Sequence, residues 1–581
     1  MADAHDPGQF EAHARAARRF AEAAGRLSDD ELRVRTMALR RRAAGAERFD
    51  AVLPEALASV REAARRAVAA PYRDADLASG VAVHAGRVVE TKAAEDNAPA
   101  AIVAAYLHAL AGQGVHLVTV DDQVARRGAG PAAAVLGSLG LRVAAIGDGS
   151  SHAERAQAYT ADVTYGAYRR FVYDYLRDNL AWQPEERMQR SPHAVVLDDI
   201  GAILIDQGGE PLVLTGRVEP DVGQYRRLAE LAALLGSGRY FAIDEATGAV
   251  TLTRAGTAQA EDFLGMDGLL RPEHAGLAGS LADAICAREW YREGRDYVVA
   301  GGEVVAADDR RTGRLRRTTR FDRGIRQAIE AGHGLHISPE QPVLARISVA
   351  GYLRLYRSIG GLTAAAVPAS GLLSRGTGHR RRDLETQAAR MLRAASGYQA
   401  MDDDQCAQAY QMRNAILGAR DLHARACQLI GEAIEASVAA NPDPRRLRDA
   451  LAALYPVGLS AADLAVADGG PAATHRVTAR AKADALAAYQ RREQELGSPV
   501  LRELEKRLML GVIDREWREY LLELDRLHEL AWADDGADGD PSLDSYRGSA
   551  PKRYGDFLSR VRWRIVSNLF FLEIPRKAFR E

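Results

Sequence analysis

The chain is poor in cysteine and has no long apolar segment. Cys286, Cys406 and Cys427 lie far apart, so they fit neither a disulfide framework nor the spacing of a zinc site. No run of about 18 apolar residues occurs, which argues against a membrane-spanning helix. The N-terminal residues MADAHDPGQF have neither the positive charge nor the apolar stretch of a signal peptide. We therefore expect a chain that is cytoplasmic, or peripheral on the inner face of the cell membrane.

The overall charge shows no excess of either sign. The 581 residues include 77 Lys and Arg against 79 Asp and Glu, which gives a formal net charge of −2. Because no overall basic field is present, nucleic acid is not an expected partner. The hydrophobic share of 47% and the charged share of 27% are those of an ordinary globular protein.

Apolar periodicity divides the chain into segments with different secondary structure. Ser28 and Glu31 have the spacing of a capping box and are predicted to begin a helix. Between residues 80 and 216, apolar runs alternate with helical segments, which is typical of a parallel sheet covered on both faces. The predicted strands are VHLVTV (115–120), LRVAAIG (141–147), HAVVLDD (193–199) and AILID (202–206).

The later segments have a different character. Residues 217–342 mix short strands with helices and are predicted to form an inserted α+β domain. After a Gly/Ala-rich passage near 360–378, the chain is almost wholly helical. Apolar residues at helical spacing over 501–530 predict one long helix with a single buried stripe, which includes Trp517.

Segment 88–106 runs strand, turn, helix, the arrangement in which a glycine-rich loop binds phosphate at a helix N-terminus. Such a loop needs glycines whose N–H groups point inward and a lysine that reaches the phosphates. The turn here is AAEDNA (93–98), with carboxylates at Glu95 and Asp96 and no hydroxyl for Mg²⁺. One interpretation is a repurposed nucleotide site. The other, which the charges favour, is a loop that repels triphosphate and only joins strand to helix.

Six stretches, taken in order, resemble the SecA family, the ATP-driven motors of bacterial protein export. The most specific is YTADVTYGAYRRFVYDYLRDNL (159–180). The others are LSDDELRVRTMALRRR (27–42) with LPEALASVREAARRAV (53–68), GVHLVTVDDQVARR (114–127), VVLDDIGAILIDQGGEPLVLTG (195–216), GEVVAADDRRTGRLRRTTRFDRGIRQAIEA (302–331) with YLRLYRSIGGLTAAA (352–366), and LRELEKRLMLGVIDREWREYLLELDRLHEL (501–530) with DPSLDSY (540–546). The resemblance implies an α/β RecA-like parallel-sheet domain of the DEAD-motor type with an inserted α+β domain, followed by a mostly α-helical scaffold.

The resemblance also implies that the nucleotide site is degenerate. The family's phosphate loop aligns with a segment that begins at Lys92 and includes Glu95 and Asp96. Its catalytic lysine falls on Asn97, and its Mg²⁺-binding threonine falls on Ala98. The family's adenine-reading glutamine falls on Asp76. These positions are vestigial in this interpretation, so neither ATP nor Mg²⁺ is an expected cofactor.

The family's Walker B acids fall on Asp198 and Asp199, where the second should be Glu. A shorter acid there would position an attacking water poorly. The two aspartates could instead be a surviving metal pair. We favour solvated residues at the end of a strand, because the phosphates that would share a metal have no cradle. No catalytic residue and no metal site are therefore expected.

A whole domain is missing relative to the family. After Ala366 the chain passes into helical sequence where the family has a second RecA-like domain of roughly 150–200 residues. The family's zinc-binding cysteine tail is also absent. The implied domains are the first part of a degenerate nucleotide-binding domain (1–216), a preprotein-binding-like insert (217–342), the return to the first domain (343–370), a linker in place of the second motor domain (371–395), and a helical scaffold with wing and two-helix finger (396–581, the finger about 497–575).

Three functions stay open at the level of sequence. The first is a non-hydrolysing pseudo-ATPase that acts as an adaptor or regulator of protein export. The second is an ATPase subunit that a partner's second motor domain completes, and the third is a decaying paralogue without function. The resemblance implies as partners a SecYEG-type translocation channel, a competent SecA motor and unfolded secretory polypeptide, with peripheral membrane contact.

Overall fold

A computed structural model describes residues 7–44, 49–69, 72–91, 97–206, 211–243, 250–270, 274–306, 324–363, 387–465, 471–533 and 541–572. The chain divides into two compact units. Unit 1 comprises Met1–Leu214, Arg346–Asp514 and Ser559–Glu581, and unit 2 comprises Thr215–Ala345 and Arg515–Leu558. Within the described ranges, no helix is both long enough and apolar enough to cross a membrane.

Unit 1 is built on a six-stranded parallel sheet with the order β1-β12-β5-β2-β4-β3. All five residues of β2 and of β4 are buried, because helices cover both faces of a parallel sheet. The strands of the whole chain are β1 (Val88–Glu90), β2 (Val115–Thr119), β3 (Val143–Ala145), β4 (Val163–Ala167), β5 (Ala194–Leu197), β6 (Leu212–Thr215), β7 (Phe241–Ile243), β8 (Val250–Leu252), β9 (Tyr297–Ala300), β10 (Glu303–Ala306), β11 (Val343–Ile347) and β12 (Ser358–Thr363).

Helices account for most of the described residues of the two units. They are α1 (Pro7–Ala17), α2 (Ala21–Arg26), α3 (Asp29–Ala44), α4 (Phe49–Ala67), α5 (Asp74–His84), α6 (Asn97–Ala109), α7 (Asp122–Ser138), α8 (His152–Ala158), α9 (Tyr168–Asp178), α10 (Val222–Leu234), α11 (Arg254–Leu264), α12 (Ala275–Glu289), α13 (Ile325–Gly332), α14 (Val349–Leu353), α15 (Gln387–Gly418), α16 (His423–Ala440), α17 (Pro444–Ala452), α18 (Pro471–Leu496), α19 (Ser498–Ala533) and α20 (Pro541–Phe571). A parallel sheet followed by a helical region confirms the predicted fold class.

One predicted strand is wrong. Residues 202–206 form a π-helical turn, Ala202–Asp206, instead of a strand. Four residues separate the turn from the end of β5, and the amide of Ala202 donates to Oδ1 of Asp199 at 3.1 Å. Ile203 is fully buried. An apolar run as short as AILID fits a buried strand and a buried helical turn equally well, so periodicity alone could not separate them.

Unit 2 contains the mixed segment, the C-terminal part of α19 and the N-terminal part of α20. Its two small antiparallel sheets pair β7 with β8 and β9 with β10. Where the chain enters and leaves this unit, the amide of Gly216 donates to the carbonyl of Pro342 at 2.9 Å. Trp517 is buried at 4% exposure against Tyr520 and Phe557, as the helical stripe predicts. A hydrophobic core cluster of this unit contains Leu228, Leu231, Phe241, Leu281 and Ile285.

Within unit 1, helix α15 is held to the segment around β11 and α14 by buried polar groups, which we call the scaffold junction. The Tyr410 hydroxyl donates to the carbonyl of Arg346 at 2.9 Å and accepts from its amide at 3.0 Å. The carboxylate of Asp403 accepts from the amide of Ser348 at 3.0 Å and from its hydroxyl at 2.6 Å. These bonds satisfy groups that burial would otherwise leave unpaired.

Arg413 belongs to the same junction, further along α15. Its guanidinium makes a two-point contact with Asp514, at 2.7 and 3.0 Å. It also donates to the carbonyls of Ala181 at 2.6 Å and Leu180 at 3.3 Å. The side chain is 3% exposed. A single buried cation therefore connects α15, the middle of α19 and the segment after α9.

Candidate functional site

The candidate nucleotide site lies at the carboxyl ends of β1 and β5, the edge at which parallel sheets usually bind ligands. Helix α6 begins here at Asn97, and Asp198 and Asp199 follow β5 directly. Lys92, Glu95 and Asp96 lie outside the described residues, so their vestigial role stays a prediction.

Asn97, which the sequence resemblance aligns with the family's catalytic lysine, is bound within the protein. It is 1% exposed. Its amide nitrogen donates to the backbone carbonyl of Asp198 at 2.6 Å, and its amide oxygen accepts from the hydroxyl of Thr91 at 2.6 Å. The amide of Thr91 donates in turn to the carbonyl of Thr363 at 2.8 Å. Asn97 therefore links the ends of β1, β5 and β12, and both ends of its amide group are in use.

Sequence reasoning missed this link, although it placed Asn97 at the site. The partners Thr91 and Thr363 are separated by 272 positions, and no local pattern shows that β1 and β12 are neighbours. Ala98 follows in the first turn of α6 and is partly buried. Its methyl side chain has no oxygen with which to bind a metal ion.

Asp198 and Asp199 are less solvated than predicted, because both are partly buried at the end of β5. The amide of Asp198 extends the pairing of β5 with β2 by donating to the carbonyl of Val118 at 2.9 Å. Its Oδ1 is buried and has no hydrogen-bond partner among the described residues. Burial, and then the negative charge of Asp199, raise the pKa of Asp198 to about 6. Burial and a neighbouring negative charge both disfavour the ionised form of this carboxyl.

Asp199 and Asp76 both serve local helix starts. Oδ1 of Asp199 receives the amide of Ala202 and so caps the helical turn after β5. Asp76 is 7% exposed and accepts from the amide of Arg73 at 2.7 Å and from its guanidinium at 2.9 and 3.1 Å. Its hydrogen bonds thus tie it to the start of α5 rather than to Asn97 or Asp198. Of the predicted positions, the structure brings together Asn97, Asp198 and Asp199.

The described residues of this site do not fit ATP with Mg²⁺. A triphosphate needs donors and positive charge, whereas the described groups present an amide already in use and two carboxylates. Within the described part of the chain, no group of three or more His, Cys, Asp or Glu side chains could hold a metal ion. No catalytic step through a nucleotide or metal can be derived from this arrangement.

Comparison with known proteins identifies two family segments. Residues 3–373 match the family model described as SecA DEAD-like domain, and residues 379–573 match the one described as SecA Wing and Scaffold domain. The first match alone covers more than half of the chain. Together they confirm the family that the six sequence stretches indicate.

Curated relatives match over part of their length. The Protein translocase subunit SecA of Acidothermus cellulolyticus is 41% identical over 347 residues, which cover 59% of this chain and 34% of the relative. That of Kocuria rhizophila is 40% identical over 341 residues, 58% of this chain and 37% of the relative. Protein translocase subunit SecA 1 of Thermobifida fusca is 40% identical over 341 residues, which cover 59% of this chain and 35% of the relative. The chain thus spans little more than a third of these relatives.

Proposed function

Because the chain belongs to the SecA family, we propose that it acts in protein translocation as a non-hydrolysing adaptor or regulator. The printed name of its relatives, protein translocase subunit, supports the process. The partners we propose are a SecYEG-type channel, a competent SecA motor and unfolded secretory polypeptide. We place this activity at the cytoplasmic face of the membrane.

The observation that carries the non-hydrolysing role is the bonding of Asn97. An adaptor needs a stable fold at this edge of the sheet, whereas a motor needs groups there that are free to bind phosphate. The two bonds of Asn97, at 2.6 Å each, hold β1 and β5 together without a ligand. A lysine at this position would have an ammonium group that can bind the phosphates of a nucleotide.

The charge of the site supports the same proposal. The buried Oδ1 of Asp198 and the neighbouring charge of Asp199 favour a proton at pH 6 and below, and they oppose an added polyanion. An oriented cation and a bound metal are what a phosphoryl-transfer site uses to neutralise charge. We therefore infer that neither ATP nor Mg²⁺ is used.

Calorimetry of the full chain with ATP and Mg²⁺ tests the nucleotide part. We expect a dissociation constant no tighter than about 1 mM, with a competent SecA motor as the positive control in the same buffer. Turnover should not exceed the buffer blank. Micromolar affinity would contradict the proposal.

Association with purified SecYEG-type channel in nanodiscs tests the adaptor part. We expect binding that is unchanged by ATP and unchanged in Asp198→Asn, because the site takes no part in it. Turnover that appears only when a partner is added would favour the ATPase completed by a second subunit. Failure to associate with channel, competent motor or unfolded polypeptide would leave the adaptor function without support and favour a decayed paralogue.

A further inference from the structure

Two neighbouring histidines, His84 and His108, lie in the core of unit 1. His84 is the last residue of α5, and His108 lies in the last turn of α6. Their ring centroids are 4.3 Å apart, and the ring of Phe49 at the start of α4 stacks on His84 at 4.8 Å. His108 is 4% exposed, and His84 is partly buried. Three helices therefore meet at this pair of imidazoles.

A close contact between α5 and α6 brings the two rings together. Gly80 lies one turn before His84 on α5. A Cβ atom at Gly80 would stand 2.4 Å from Cγ1 of Val103 on α6, so this approach of the helices requires a glycine. One turn further along α5, the same approach places His84 against His108.

Neither imidazole has an acceptor ready for an added proton. Nδ1 of His84 and Nε2 of His108 are buried and have no hydrogen-bond partner among the described residues. In an imidazolium both ring nitrogens are donors, so each of these atoms would become a buried donor without an acceptor. Protonation would also place a positive charge in buried surroundings, directly beside a second imidazole.

The charged and titratable groups that face the pair do not compensate for this cost. Asp50 on α4 is the acid whose charge reaches His84, and it is exposed to water. His193, just before β5, faces His108, and Arg357 faces His193 in turn. The C-terminal ends of α5 and α6 favour a positive charge. Burial outweighs both effects, because it lowers the pKa of His84 to about 4 and the pKa of His108 well below its ordinary value.

The pair lies at the connection from α5 to the edge strand of the sheet. After His84 the chain turns at Gly86, which has a left-handed φ of +78°. Strand β1 begins at Val88, at one end of the strand order, where its partner in the sheet is β12. The amide of Gly361 in β12 donates to the carbonyl of Arg87 at 3.2 Å. Displacement of the His84 ring therefore strains the contact of β1 with β12.

We propose that His84 and His108 form an acid-sensitive latch, which keeps the α5–β1 connection closed while both imidazoles are neutral and opens it when they take up protons. The open form frees β1 from β12. Strand β12 then becomes the edge of the sheet and presents unpaired N–H and C=O groups, to which another strand can bind. The latch does not depend on the adaptor role, so it goes beyond the function proposed above.

The lowered pKa values determine the direction of the pH effect. In the open form His84 binds a proton near its ordinary pKa of 6.5, whereas in the closed form it does so only near pH 4. Between these values the open form binds more protons, so the closed form loses stability as the pH falls. Each histidine with such a shift weakens the closed form by up to about tenfold per pH unit, and two do so by up to about a hundredfold.

Hydrogen exchange of the full chain at pH 7.5 and 5.5, followed by mass spectrometry and corrected for intrinsic rates, tests the latch. Residues 74–90 should lose protection by about tenfold or more at pH 5.5, whereas β4 should keep its protection to within about threefold. In the double variant His84→Gln/His108→Gln, which is neutral at both pH values, residues 74–90 should lose less than about threefold. His152→Gln removes an exposed histidine of α8 and should show the same loss as the native chain.

Circular dichroism at pH 7.5 checks that each variant is folded. If the double variant does not fold, the single variants replace it, and each should reduce the loss of protection by about threefold or more. A native chain that keeps the protection of residues 74–90 at pH 5.5 overturns the proposal. A loss that persists in the variants also overturns it, since other histidines such as His116 or His193 would then cause it. An equal loss in β4 would indicate global unfolding and would exclude a local latch.

Discussion

The candidate nucleotide site at the ends of β1 and β5, which we call the strand-end site, and the scaffold junction lie in the same compact unit. Both contain partly or fully buried aspartates, but these differ in the hydrogen bonds that their carboxylates accept. At the junction, Asp403 accepts two hydrogen bonds from Ser348. At the strand end, Oδ1 of Asp198 is buried and accepts none from the described residues. Burial raises the pKa of both carboxyls, and only Asp403 has hydrogen bonds that oppose the rise.

This difference in hydrogen bonding distinguishes side chains that stabilise the fold, such as Asp403, from side chains that do not, such as Asp198. The bonds of the junction join helix α15 to β11, α14, α19 and the segment after α9, so their loss should lower the free energy of unfolding. The strand-end site is also closed by one side chain, Asn97. Among the described residues, Oδ1 of Asp198 has no partner, and Asp199 bonds within its own helical turn. We therefore expect substitutions in the two regions to have effects of different size, and for Asp198 of different sign.

The largest expected effect is at the junction. Arg413→Ala should lower the free energy of unfolding by about 3–5 kcal/mol, because it leaves Asp514 and two carbonyls without their buried cation. Urea denaturation followed by circular dichroism measures it. The control is Arg445→Ala, an exposed residue of α17, which should change stability by less than about 0.5 kcal/mol. Equal effects of the two variants would show that the junction does not hold α15.

A smaller effect is expected at Asn97. Asn97→Ala removes two buried hydrogen bonds and should cost about 2 kcal/mol, since the carbonyl of Asp198 loses its donor. Ala98→Ser changes the next residue, which is partly buried, and should be close to neutral. The comparison would fail if Asn97→Ala left stability unchanged, because the site would then not be closed by this side chain.

The smallest expected effect has the opposite sign. Because the pKa of Asp198 is raised to about 6, the folded state binds more protons than the unfolded chain between about pH 4 and 6, and the ionised form costs stability above that range. Asp198→Asn should therefore raise stability by about 1 kcal/mol at pH 7.5, with a gain that shrinks towards pH 4.

Asp403→Asn is the matched control for that measurement. The substitution replaces one of the two acceptor oxygens by an NH2 group, so only one of the two hydrogen bonds from Ser348 can be kept, and the variant should lose stability at pH 7.5. A gain for Asp403→Asn, or a loss for Asp198→Asn, would remove the contrast between the two regions. Melting temperatures of both variants from pH 4 to 8 measure the two stability changes.

Local patterns predicted the elements that local physics controls. The Ser28–Glu31 capping box is present, with the amide of Ser28 donating to Glu31 at 2.7 Å and the amide of Glu31 donating to the Ser28 hydroxyl at 3.3 Å. The predicted helix over 501–530 lies within α19. Strand runs such as VHLVTV correspond to β2. In each case the signal is a spacing of a few residues, which determines which face of an element is apolar.

The candidate site was only partly predictable. A family alignment places Asn97, Asp198 and Asp199 at the nucleotide position, but it does not say what their side chains contact. The expectation of solvated aspartates holds only in part, because both side chains are partly buried at the end of β5. The domain boundaries and the absence of nucleotide binding remain predictions.

The sequence by itself determined the class of this protein: alternating apolar runs specify a parallel sheet, helical spacing specifies the scaffold, and six stretches specify the SecA family. Only the tertiary structure decided what the degenerate positions do. It brings Thr91, Asn97 and Asp198 together, and it places the ring of His84 against that of His108. The reason is physical. Secondary structure follows from neighbours within a few residues, whereas burial and hydrogen bonding depend on residues that only the packed chain brings into contact.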